Sequence, residues 1–172
     1  MYNSSANLNL KLTVNQMLAS NVHIGHTKKF LNVGVKPYLL GSRNNIYILN
    51  ITRTTFQFKL LINILINIIS FRQKLLIVKD RDVYNFRRLL NLKHVYYSDS
   101  KWIGGSLTNF RQVRQSEQFK LTNSFYNSLG SMRYMPSLVF FFDIDSSKRA
   151  LIESSNLEIP IASLIDTNTT LI

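Results

Sequence analysis

LLIVK, residues 75–79, sets four apolar side chains in a row before its lysine. A strand with one face in water alternates apolar and polar residues. An unbroken run instead predicts an inner strand of a parallel sheet covered on both faces. LVFFFD (138–143) repeats the pattern and is more apolar still, which predicts the centre of the same sheet. HVYY (94–97) and IPIASLID (159–166) read as further strands, and a fifth is expected at about 46–51. The segments between them have helical spacing. Asp80 or Asp82 opens a helix through about Leu90, with Arg81, Arg87 and Arg88 on its polar side, and Ser146 or Ser147 caps KRALIESSNL. Strand and helix in alternation predict an α/β fold: a three-layer, doubly wound, flavodoxin-like sheet of about five parallel strands in a single domain, 1–172. Right-handed crossovers then gather the loops at the C-terminal strand ends along one edge.

Upstream of this sheet, Thr13 is expected to cap a short helix through Ser20, with Val14, Met17 and Leu18 on its apolar side, after a loose extension over 1–12. FQFKLLINILINIISFRQ (56–73) predicts a longer helix capped by Thr54 or Thr55. Its apolar run, 60–69, is shorter than the ~20 residues a bilayer requires, so no membrane is expected. Asn63, Asn67 and Ser70 mark one polar stripe on a helix otherwise buried on most sides. His23 and His26 stand three apart, but no Cys, Asp or Glu accompanies them before Asp80. Satisfied turn histidines are therefore preferred to a metal site, and neither a metal nor a cofactor is expected.

A chain of 172 residues with 45% hydrophobic content is long enough to bury a core, and without cysteine it has no disulfide, thiolate metal site or cysteine nucleophile. The net charge of +12 is unevenly spread. Residues 1–79 hold ten Lys/Arg and no acid, residues 80–135 nine and four, and residues 136–172 two and five. A solubilising charge would be interspersed with acids; this distribution predicts a polyanion met by one side of a globular body.

KWIGGSLTNFRQVRQS (101–116) follows the third apolar strand. Gly104-Gly105 permits positive φ and close backbone approach, and Thr108 with Asn109 can open a helix carrying Arg111 and Arg114 on one face. An indole, a bare backbone and two forked cations suit sugar-phosphate. Taken alone, the stretch reads first as a loop leading into a solvated helix.

Enzymatic readings find less support. FFFDIDSS suggests a magnesium-dependent phosphatase of haloacid-dehalogenase type using Asp143 and Asp145. The motif is late in the chain, however, and only Lys148 follows it as a lysine. A turn or helix cap explains Asp145 better. There is no G-x-G-x-x-G, no P-loop, and no nucleophile with a recognisable setting near His23, His26 or His94.

WIGGSLTNF with RQVRQS resembles the signature of the bacterial-type small-subunit ribosomal protein two, the S-two family. NVHIGH (21–26) with KPYLLGSRNNIYILN (36–50), and PSLVFFFDID (136–145) with IPIASLIDTN (159–168), resemble the same family in the same order. The likeness runs from about Met17 to Asn168. It implies a non-enzymatic constituent of the small ribosomal subunit, sited between head and body near the region that receives messenger RNA, with small-subunit rRNA and other small-subunit proteins as partners and no small-molecule substrate. Candidate RNA contacts are Lys28, Lys29, Lys36, Arg43, Asn44, Lys101, Trp102, Asn109, Arg111 and Arg114, with Lys79 and Arg81 as second choices. Trp102 is as well suited to a core. The family has a long helical hairpin where this chain leaves 109–135, so a shortened helical insertion is expected there. The family also continues past DTN, so truncation or a partner filling that place is expected. Abundant Asn, Ile, Leu, Tyr and Phe beside four Ala resemble translation from an AT-rich genome, and the opening residues lack an Arg-rich leader. Synthesis inside an organelle, with a place on the mitochondrial ribosome in the matrix, is expected.

Overall fold

The computed structural model describes residues 13–79, 92–98, 102–115 and 129–169. They fall into two compact units, the first drawn from residues 1–62 and 166–172, the second from 63–165. The expected extension 1–12, the helix from Asp80 or Asp82 to Leu90, and residues 116–128 of the expected insertion lie outside the described residues.

In the first unit, helix α1 (Val14–Ala19) starts where expected. The Thr13 hydroxyl accepts the Gln16 N–H while the Gln16 side chain takes the Thr13 N–H, a closed capping box. Strands β1 (Ile24–Thr27), β2 (Leu39–Arg43) and β3 (Ile46–Leu49) form an antiparallel sheet in the order β1-β3-β2. The segment expected as a fifth parallel strand is β3, and it pairs antiparallel here. Asn44 and Asn45 explain why: both have positive φ, 48° and 65°, and close a two-residue turn that folds β3 back on β2. Such turns need left-handed backbone at both positions, which Asn tolerates better than most residues. Residues 166–169 complete this unit. The Thr167 hydroxyl accepts the His26 N–H at 2.8 Å, and its carbonyl accepts the Asn32 N–H at 2.9 Å. Thr167 is fully buried.

Helix α2 (Ile51–Ser70) is about 30 Å long at 1.5 Å per residue. Its cap is Asn50, not Thr54 or Thr55. The Asn50 Oδ1 accepts the Thr52 and Arg53 N–H groups, and the two threonine hydroxyls donate back to the Asn50 and Ile51 carbonyls inside the first turn. None of its residues is fully buried, and Phe56, Leu60 and Ile64 form an exposed stripe at i, i+4 and i+8. The expected burial on most sides gives way to half-burial. Among the described residues no helix is long and apolar enough to cross a membrane.

The second unit holds the doubly wound sheet. β4 (Leu75–Val78), β5 (Val95–Ser98), β6 (Leu138–Phe141) and β7 (Ile161–Ser163) run parallel in the order β5-β4-β6-β7. The chain leaves β4 to one side and returns to its other, the reversal that defines this fold. All eight residues of β4 and β6 are buried, as continuous apolar runs at a sheet centre should be. Leu76 with Val139 and Val78 with Phe141 are register partners, so these four side chains share one face. They enter a core with Trp102, Leu107, Val113, Met132, Ile144, Ala150 and Leu151. α3 (Phe110–Gln115) and α4 (Lys148–Asn156) flank it. Ser147 is the α4 cap residue, though it acts through its carbonyl rather than its hydroxyl.

Candidate nucleic-acid interface

The tryptophan–glycine corner is built around a carboxylate. Glu153 lies on the buried face of α4, with Ala150, Leu151 and Ser154. Its Oε1 accepts the Trp102 Nε1–H at 3.1 Å and the Gly105 N–H at 2.7 Å, and its Oε2 accepts the Leu107 N–H at 3.0 Å. Gly105 has φ +87°, and a Cβ there would lie 3.2 Å from Val113 Cγ2. Gly104 faces open space, so only the second glycine is required by geometry. Backbone N–H groups converging in such a loop make an anion nest. Here the anion is the chain's own, and the nest expected for sugar-phosphate is filled from within. Trp102, 7% exposed with its indole N–H committed, belongs to the core rather than to the candidate RNA contacts.

The corner delivers the start of α3 to the surface. Asn109 and Arg111 are exposed, and the Asn109 amide donates to the Gln112 side chain. Arg114 follows three residues later in α3, its side chain outside what is described, as is Lys101.

A second group forms in the first unit. Thr27 and Arg43 both pair with Ile46, and the Lys28 N–H donates to the Asn45 carbonyl at 3.1 Å. Lys28, Lys29, Arg43 and Asn44, all exposed, therefore gather at one end of the small sheet. Lys36, also exposed, precedes Leu39, which pairs with Leu49 at the other end of β2, so it stands apart from Arg43. Lys79 is half-buried with its ammonium 5.9 Å from the Phe142 ring, and Arg81 lies outside the described residues.

His23 lies in the turn before β1, and His26 inside that strand. His26 Nδ1 is 3.2 Å from Asp166 Oδ2, whereas His23 Nδ1 is buried with no hydrogen-bond partner among the described residues, contrary to the expectation of two satisfied rings. Asp143 Oδ1 accepts the Asp145 N–H at 3.0 Å, and Asp145 sits 3.7 Å from the Lys148 ammonium. That is a turn entering α4, and it lends the phosphatase reading nothing.

Sequence reasoning missed Glu153, although a signal was present: a carboxylate spaced among Ala150, Leu151 and Ser154 on an apolar stripe must find donors when buried. It also missed β2, because Gly41 and the polar run after it read as a loop. Arg53 escaped notice too. Its guanidinium donates to the Pro37 carbonyl beside Lys36.

The chain matches the family model described as "Ribosomal protein S2" over residues 17–129. It is 31% identical to a small ribosomal subunit protein uS2 of Tolumonas auensis, across 92% of this chain and 78% of that one. A protein of the same name from Pseudoalteromonas atlantica is 30% identical over 91% and 77%, and one from Buchnera aphidicola 29% over 88% and 76%. The Tolumonas alignment spans 188 positions, more than the 172 residues available here, so that relative carries insertions this chain lacks.

Proposed function

Because the chain belongs to the ribosomal protein S2 family, we propose that it is a structural constituent of the small subunit of the mitochondrial ribosome, binding small-subunit rRNA and neighbouring proteins without chemistry of its own. The observation that carries this reading is the cluster of Lys28, Lys29, Arg43 and Asn44 at one end of the small sheet, in a stretch of 79 residues that contains no acid. Arg presents a planar fork that matches phosphate, Lys a mobile point charge, and Asn an amide for sugar or base edges. Asn109 and Arg111, held at the surface by the Glu153-locked corner, form a second contact, with Arg114 and Lys101 beside them in sequence. Lys36 is a separate one.

The mitochondrial placement rests on the bias to Asn, Ile, Tyr and Phe; the relatives above are bacterial. Proximity to the messenger RNA region is part of the same reading.

Sedimentation tests it. A tagged chain expressed in its own cells should travel with mitochondrial small subunits at moderate salt. The purified chain should bind small-subunit rRNA with an affinity that falls steeply as salt rises. A chain that stays off ribosomal particles while hydrolysing a phosphoester overturns the reading.

A further inference from the structure

The opposite edge of the parallel sheet carries a feature that the candidates above do not include. Three loops enter β5, β4 and β6 at their N-terminal ends and are knitted by the backbone: the Leu75 N–H donates to the His94 carbonyl at 3.0 Å, and the Ser137 N–H to the Lys74 carbonyl at 2.8 Å. Adjacent strands thus hold together 71–74, 92–94 and 132–137. Arg72, Lys93 and Arg133 are exposed on these loops, and among the described residues none of them has an ion-pair partner. Lys74 places its ammonium 4.0 Å from the centroid of the Tyr134 ring, a ring 74% exposed. Phe71 is 66% exposed on the same edge. The acid among its described residues is Glu158, which precedes β7 on the far side of β6.

We infer that this N-terminal edge is a second RNA-binding surface, in which Arg72, Lys74, Lys93 and Arg133 contact phosphates and Tyr134 stacks an unpaired base. The inference rests on the ribosomal reading above and adds a face to it. Uncompensated cations clustered over three loops concentrate positive potential, which favours a polyanion. The forked guanidiniums fit phosphate in pairs. An exposed aromatic held by a cation is what distinguishes a surface for single-stranded RNA from one for an acidic protein, because bases have a face to stack and carboxylates do not. Left-handed backbone at Arg72 (φ 55°) and His94 (φ 77°) turns these loops sharply into the sheet and fixes where their side chains emerge.

The test uses the full chain and purified small-subunit rRNA as probe. The triple variant Arg72→Ala/Lys93→Ala/Arg133→Ala should bind roughly tenfold or more weakly at about 0.1 M salt, and the slope of log affinity against log salt should fall by about 2. Tyr134→Ala should lose roughly fivefold more, while Tyr134→Phe, which keeps the ring, restores binding. Melting curves of these variants should match the parent, and cross-linking of the parent to RNA should label peptides containing Phe71 or Tyr134. If the triple variant binds like the parent while Lys28→Ala/Lys29→Ala/Arg43→Ala weakens binding, the second surface is overturned and the ribosomal reading stands. The same follows if the edge cross-links to protein and not to RNA. A parent chain that neither binds the RNA nor joins small subunits overturns both.

Discussion

A carboxylate under a glycine corner is tolerable only when its oxygens are fully used, and Glu153 meets that condition with three N–H donors. The cost of losing it is therefore asymmetric. Glu153→Ala strands three donors and should lower stability by about 3–5 kcal/mol in urea unfolding, whereas Glu153→Gln, keeping one acceptor oxygen, should cost about 1–3 kcal/mol. Gly25 makes a comparable demand by shape. A Cβ there would lie 2.5 Å from Thr167 Cγ2 and 3.3 Å from the Tyr47 carbonyl oxygen. Gly25→Ala must push the 166–169 segment aside and should cost about 1–3 kcal/mol, read as a shifted midpoint with unchanged denaturant slope.

At the scale of elements, local sequence explains starts better than sides. Thr13 and Gln16 form the box that their spacing announces, but the cap of α2 lies at Asn50, four residues before Thr54, because Asn50 can take two N–H groups at once. Asn50→Ala should cost about 0.5–2 kcal/mol by thermal or chemical unfolding, while Thr54→Ala, which removes only a back-bonded hydroxyl, should stay within about 0.5 kcal/mol. The hairpin of β2 and β3 turns on Asn44-Asn45, a weaker announcement than Asn-Gly, and its neighbour Gly41 disguised β2 as loop. Continuous apolar runs announced β4 and β6 without ambiguity, since both of their faces are covered.

For the molecule as a whole, the charge map and the fold answer different questions. Replacing Lys28, Lys29 and Arg43 with alanine should lower the salt slope of RNA binding by about 2, because each phosphate contact releases counterions, while circular dichroism stays unchanged. The uneven spread of charge along the chain is what makes a polyanion the expected partner class, and the family signatures, the same motifs in the same order, pointed to the family the chain belongs to. The sequence by itself determined the parallel α/β sheet, its central strands and the excess of positive charge, because hydrophobic period and net charge are local or additive properties of a chain. Only the tertiary structure decided which cations stand together, that Lys36 and Arg43 lie at opposite ends of β2, and that Trp102 turns inward. Those outcomes depend on contacts such as Trp102 to Glu153, 51 residues apart, and no local pattern encodes which distant partner satisfies a buried charge.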